Sequence, residues 1–441
     1  MGGARVGIRV GEWPLIVLIA VAVAVPTAFA PLFAIAAAAV LIVLGFVVFN
    51  AGALLLLMVA AFPWDDMLGI PTETVSMIKL IGALLLVGYF LRSLTRDEDV
   101  RLPPTLPSLV IFTMLVLLSL MASGDVASGL NKTLRYLLFA AFSFLVVQLI
   151  RSRAQMVTLL RVLVISSTAA ALYGVVLLIK GDVDRVSGPI GEANDFAYLL
   201  ASVLPFAVYL TLRDRRWRTW WVISSGVLIL ALLGTLSRGA LVGLAAVVLW
   251  AVATRRTRVG GVLAGLFVVA GVVLLAFTLW RPLIDERLAA KSKVATANVE
   301  SRKQYWRAAA SMAADHPLLG VGPGRFGVEA RNYVRNDPLN LDDPVVHNAY
   351  LEVLAEGGIP TLLAFLAFVG GSWALTVRAR RQFEVAEDAD GLRLTAAVQA
   401  SLVVAIVSAN FLSVQTSVPL WLLGGLAAVL AIPPPAASGD A

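Results

Sequence analysis

An all-α polytopic membrane protein is the fold that three observations on the sequence predict. The chain is 59% hydrophobic and only 14% charged. Several runs of about 18 or more apolar residues are long enough to cross a hydrocarbon core of about 30 Å. Lys and Arg gather in short loops between those runs, the pattern that orients a membrane protein. The net charge of +7 would suggest nucleic-acid binding in a soluble chain. Here the surplus sits in orienting loops, so no nucleic-acid partner is implied and membrane lipids are the expected surroundings. The absence of cysteine excludes disulfides, thiolate catalysis and Cys-ligated metals.

The elements follow in chain order. Arg5 and Arg9 ahead of the apolar run Leu15–Val25 and Ala28-Phe29-Ala30 have the outline of a signal peptide, but Pro31 and the immediate return to apolar sequence favour a retained first span. Spans are then expected at Val75–Leu91, Pro107–Met121, Leu134–Ile150, Val157–Leu178, Phe196–Leu212, Thr219–Leu236, Ala240–Ala253, Gly260–Leu279, Tyr350–Val377, Leu394–Phe411 and Val418–Ile432. The basic clusters Arg151/Arg153, Arg213/Arg215/Arg216/Arg218, Arg255/Arg256/Arg258 and Arg378/Arg380/Arg381 lie two crossings apart and mark the cytoplasmic face. The block Trp13–Phe62 then needs an odd number of crossings. Three short spans there make about 14 in all, and a single crossing with interfacial helix makes about 12. The expected organisation is an N-terminal transmembrane bundle (1–280), a large and partly helical external loop (281–348), C-terminal transmembrane helices (349–432) and a disordered tail (433–441).

Three segments fall on the external side, and they hold the candidate chemistry. In Leu236-Ser237-Arg238-Gly239-Ala240 an arginine stands between two apolar runs with no loop to carry it into water. Such a residue either snorkels to headgroups or holds a phosphate, whose oxygens a guanidinium matches with two bonds. Arg185 lies in a Gly- and Pro-broken loop before Asn194 and Asp195, either of which could cap the next span. Loop arginines are ordinary, so its structural and functional readings are balanced.

In the long loop, Ser301 to Met312 has helical propensity, with Trp306, Ala309 and Ala310 forming an apolar stripe beside Arg302 and suiting a helix that lies on the membrane or caps the bundle. His316-Pro317 and the glycines after it end that helix. Gly322 to Gly327 fits G-x-G-x-x-G, but no strand precedes it. A tight backbone turn with amides facing an anion is the better reading. His347 precedes a long apolar span and suits a general base near neutral pH. As a lone residue it would more often be structural. No metal site is expected from two histidines without H-E-x-x-H spacing. Asp342/Asp343 and Asp65/Asp66 are adjacent carboxylates of the kind usually just solvated.

Taken together, Thr235-Leu236-Ser237-Arg238, Ser301-Arg302 opening a Trp-Arg-Ala-Ala helix, His316-Pro317-Leu318-Leu319-Gly320-Val321-Gly322-Pro323-Gly324 and His347-Asn348-Ala349-Tyr350-Leu351-Glu352 resemble the O-antigen ligase and Wzy-type polymerase superfamily, from about Asp182 to Leu412. The resemblance implies a GT-C-like fold and a metal-independent, inverting glycosyltransferase without a cofactor, in the bacterial cytoplasmic membrane with its site facing the periplasm or exterior. The donor would be a glycan on a polyprenyl diphosphate such as undecaprenyl diphosphate. The acceptor would be a glycan, a lipid such as the lipid A core of lipopolysaccharide, or a protein. It also implies that Arg238, Arg302 and His347 are the catalytic groups. Arg185, Asn348, Tyr350, Glu352 and Arg307 are the expected substrate-binding residues. Ligase and polymerase differ only in acceptor and stay open. The competing class is a transporter or flippase for an anionic lipid or solute, which would place its polar residues at the bilayer midplane.

Overall fold

The computed structural model describes residues 50–65, 77–95, 99–254, 300–334 and 344–432. Most of the block 13–62, the span Gly260–Leu279, the first part of the large loop, the cluster Arg255/Arg256/Arg258, Asp66, Asp342/Asp343 and the tail 433–441 lie outside the described residues. Among those residues the secondary structure is helical, without a strand. The helices are α1 (Ala51–Ala61), α2 (Met77–Thr95), α3 (Leu106–Ala122), α4 (Val126–Leu149), α5 (Arg153–Lys180), α6 (Ala193–Arg213), α7 (Arg218–Gly234), α8 (Arg238–Ala253), α9 (300–315), α10 (Phe326–Tyr333), α11 (Ala349–Val385), α12 (Ala389–Ser408) and α13 (Val418–Ala431). Five of them, α4, α5, α6, α11 and α12, are long and apolar enough to cross a membrane. Shorter apolar helices, α3, α7, α8 and α13 among them, accompany these.

Local chemistry accounts for the helix ends. Ser152 and Gln155 form a capping box at the start of α5, and Gly181 closes that helix in the left-handed region. Asp125, Asn348 and Asp388 cap α4, α11 and α12 with their side chains. At α6 the cap differs from the expected Asn194 or Asp195: the helix starts earlier, at Ala193, and Glu192 accepts from the Asn194 amide at 3.2 Å.

C-terminal helices pack between N-terminal ones, α13 on α4, α11 on α3 and α12 on α6 and α8. Trp421 of α13 is fully buried, stacked on Phe368 at 5.1 Å and flanked by Phe112 and Phe139. Gly425 lets α13 approach α4, since a Cβ there would stand 2.7 Å from Val146.

The basic residues meet carboxylates at one end of the bundle. Arg153 pairs with Asp388 and Asp390, Arg213 with Asp390, and Arg161 with Asp214 at 2.9 Å. The loops before α6, between α7 and α8, and before α11 gather at the other end.

At that second end, α11 is broken. Gly358 has φ 76°, a left-handed value open to glycine, and Pro360 follows. The segment after α9 runs into the break: Val321 and Gly322 amides donate to the Ala355 and Glu356 carbonyls at 2.9 and 3.0 Å, and the Ile359 amide donates to Pro317 at 2.8 Å. The glycine turn at 322–324 thus faces an anion belonging to the protein itself, because Phe326 and Gly324 offer their amides to the Glu356 carboxylate. Lys132 of α4 binds both Glu356, at 2.6 Å, and Glu352, which also accepts the Ser413 hydroxyl. The side chains of Lys132, Glu352 and Glu356 are 16%, 7% and 5% exposed, so this is a buried cluster of one cation and two anions.

Two outcomes follow from this packing. Lys132→Met leaves two buried carboxylates without their cation and should cost about 3–5 kcal/mol of stability. That loss would be read as a lowered unfolding midpoint in neutral detergent, and an unchanged midpoint would show that the pairing contributes little. Cysteines placed singly at the exposed positions Asp182 and Arg216 should label from opposite sides of the membrane, Asp182→Cys from outside intact cells and Arg216→Cys only after permeabilisation; the reverse pattern would invert the orientation.

Candidate active site

The tip between α7 and α8 is held in a strained turn. Leu236 has φ 53°, unusual for a residue with a branched side chain. The loop before α6 stitches it down: the Val186 amide donates to Gly234 O at 3.0 Å, Arg185 Nε donates to Thr235 O at 2.7 Å, and Arg185 Nη2 donates to Asn194 Oδ1 at 3.1 Å. Arg238 then opens α8 with an exposed side chain. The next residue, Gly239, lies against Phe411, 3.0 Å from the position of a Cβ. On α9, Arg302 Nη1 reaches the Phe411 carbonyl at 3.5 Å. Arg302 thus reaches the 409–412 turn with its side chain, and the residue after Arg238 packs on the same turn.

The same turn anchors His347. The Ala349 amide donates to Ala409 O at 2.8 Å and to Leu412 O at 3.1 Å, and Asn348 Nδ2 donates to Asn410 O at 3.3 Å. Ahead of it, Trp306 Nε1 donates to Val346 O at 3.0 Å, tying the segment to α9. Between these two moorings His347 takes φ 50°, a conformation that costs on the order of 1–3 kcal/mol and is sustained by the anchors around it.

The side chain is partly buried and faces a cavity of about 500 Å³, whose polar lining includes Asn131, Lys132, Arg135, Glu192, Asp195, Glu352 and Ser413. Burial pushes the His347 pKa below its ordinary value, and the Arg302 charge lowers it further against the opposing pull of Glu192 and Glu352. The imidazole is therefore neutral and able to accept a proton at pH 7. Burial likewise makes the charged forms of Arg185 and Arg302 costly, with Glu192 partly offsetting both. An anionic ligand would relieve that cost.

The other expected residues divide. Asn348 caps α11, accepting the Tyr350 and Leu351 amides at 3.1 Å. Tyr350 donates its hydroxyl to Ile406 O at 3.0 Å and fastens α11 to α12. Glu352 lines the cavity, but its carboxylate is engaged by Lys132 and Ser413. Arg307 is exposed and is not part of the cavity wall. His316 sits exposed at the end of α9, as its sequence context suggests. The expected site residues do not include Lys132 and Arg135: hydropathy starts the span at Leu134, so Lys132 falls in the loop before it and Arg135 just inside it, whereas α4 begins eight residues earlier. The spacing Asn131, Lys132, Arg135 on one helical face was the available signal.

Residues 223–366 match the family model Wzy_C, described as O-antigen ligase. The match supports placing the chain in the O-antigen ligase and Wzy-type superfamily. It covers Arg238, Arg302 and His347 and leaves Arg185, Lys132 and Arg135 outside. No curated protein matches the chain significantly.

Proposed function

Starting from the O-antigen ligase match over residues 223–366, we propose that the protein transfers a glycan from a polyprenyl diphosphate to an acceptor hydroxyl, at the external face of the bacterial cytoplasmic membrane. The observation that carries this reading is a partly buried histidine beside an arginine on a polar cavity, with its pKa lowered by both burial and charge. A neutral His347 takes the proton as the acceptor oxygen attacks the anomeric carbon. The new C–O bond forms as the bond from that carbon to the diphosphate oxygen breaks, and the electron pair leaves with the diphosphate. Attack from the face opposite the leaving group inverts the anomeric centre.

The leaving group gains negative charge in a water-poor place, where preorganised cations are worth most. Arg302, which reaches the 409–412 turn, and Arg238, next to the glycine that packs on it, supply them, and Arg185, held by Thr235 and Asn194, assists from the third external segment. Arginine charge is available here without a metal. Asn348 and Tyr350 keep His347 in register through α11 rather than by touching substrate, and Glu352 shapes the cavity wall. Arg307, exposed on α9, takes no part in this step.

With a lipid-linked donor and an acceptor, His347→Ala should lose a factor of about 100 to 10,000 in transfer rate while retaining donor binding. Near-normal transfer at matched expression would sink the mechanism. The pH dependence has a definite sign. Because the His347 pKa lies below 6.5, the base is fully present at neutral pH, and transfer should fall only as pH drops below that value. An acid limb centred above 6.5 would point to a different base.

Arg238→Lys keeps the charge but loses the planar two-bond fork, so most of the activity should go with it. Transfer should also survive a chelator. Activity abolished by chelation and restored by magnesium would move the leaving-group role to a metal.

A further inference from the structure

The segment after α9 carries an exposed apolar corner that the proposed transfer does not use. Leu318 is 70% exposed, and Pro317 beside it is exposed as well. A single bare leucine needs no explanation. This one is held against the break in α11: the Ile359 amide donates to Pro317 O at 2.8 Å, and a Cβ on Gly358 would stand 2.5 Å from the Leu318 backbone. The stretch from Pro317 to Gly324 contains no charged residue.

The break marks a level in the membrane. Between Ala349 and Gly358 no side chain of α11 is more than partly exposed. Beyond it Ile359, Leu363, Leu366, Ala367, Gly370 and Ala374 form an exposed stripe at helical spacing, which ends at the exposed Arg378. Ile359 to Val377 carries no charge, and at about 1.5 Å per residue it covers about 28 Å, close to a hydrocarbon core of about 30 Å. With Arg378 at one boundary, the other falls at Ile359. A second helix gives a similar level. The Ser119 hydroxyl of α3 donates to Glu356 O at 2.7 Å, and the exposed face of α3, Met114, Leu118 and Met121, ends close to that contact, ahead of Asp125.

We infer that Pro317-Leu318 is a membrane-seated corner of the segment after α9, with the Leu318 side chain entering the edge of the hydrocarbon beside Ile359 and lipid acyl chains covering it. The backbone suits such a place, where unmet polar groups are costly. Pro317 has no amide, its carbonyl accepts from Ile359, and the His316 carbonyl accepts from Gly320 at 3.0 Å. The corner continues an apolar face that the span already presents to lipid. It also follows directly on α9, whose first turn carries Arg302, so the seat sets the height of that helix over the membrane. The inference does not rest on the transfer reaction.

The chain has no cysteine, so one introduced residue can carry a nitrobenzoxadiazole fluorophore. Leu318→Cys, Leu363→Cys and Asp182→Cys are labelled singly in the full-length protein and placed in phosphatidylcholine–phosphatidylglycerol nanodiscs. Each is exposed to two quenchers, a lipid with a doxyl group high on its acyl chain and aqueous iodide. The label at Leu318 should lose fluorescence to the doxyl lipid about as much as the label at Leu363, and should lose far less to iodide than the label at Asp182. Ile359→Cys reads the same level from the helix and should behave as Leu318→Cys does. Iodide quenching at Leu318 equal to that at Asp182, without loss to the doxyl lipid, would put the corner in water and overturn the seat. Shielding from both quenchers would mean a protein cover, such as a second copy of the chain, and would overturn it equally. No glycan transfer is read, so an active His347→Ala protein would refute the mechanism and leave this result standing.

Discussion

One lysine holds the site together. Lys132 projects from α4 into the packed interior and meets two carboxylates one turn apart on α11. Each carboxylate brings a further element with it: Glu352 takes the Ser413 hydroxyl of the turn before α13, and Glu356 takes the amides of the glycine turn after α9. Two long helices, the segment after α9 and one connecting turn therefore share a buried electrostatic centre, two of whose members, Lys132 and Glu352, line the same cavity as His347. Buried ion pairs are poor sources of net stability compared with well-packed apolar residues, yet they are expensive to break and tolerate few alternative geometries. That combination suits a place where side chains must stay where they are put.

Strain collects around the same centre. Leu236 and His347 both take left-handed backbone angles; Leu236 stands two residues before Arg238, and His347 is itself the proposed base. Neither angle is favoured locally. The Thr235 and Gly234 carbonyls are pinned by Arg185 and Val186, and the segment around His347 is pinned by Trp306 ahead of it and by the 409–412 turn behind it. The contacts that create the strain are the ones that aim Arg238 and His347.

Much of this was legible in the sequence, and the exceptions have a common cause. Described helices such as α3 and α6 fall within a few residues of their expected spans, because uninterrupted apolar runs declare themselves. The expected span starts α4 too late, at Leu134: Asn131 and Lys132 read as loop and Arg135 as a charge just inside the span, since hydropathy averages around a helix and cannot tell a polar face turned to a cavity from one turned to water. The break in α11 was missed although Gly357-Gly358-Ile359-Pro360 was in view. Gly and Pro permit a kink, but only the partner segment 317–322 makes one necessary. Arg302 and His347 were each singled out, while their proximity depends on Trp306 and Phe411, which no local pattern connects to them.

The break at Gly358 also bears on how the chain is built. A kinked membrane helix exposes carbonyls that lipid cannot satisfy, and here those of Ala355 and Glu356 are satisfied by Val321 and Gly322. These donors lie upstream in the chain. During synthesis they are therefore made before the acceptors that need them, so α11 can settle into its bent form as soon as it emerges, against a template already in place. A circular permutation that moved 317–322 behind α11 would keep every contact of the finished fold and reverse that order of birth.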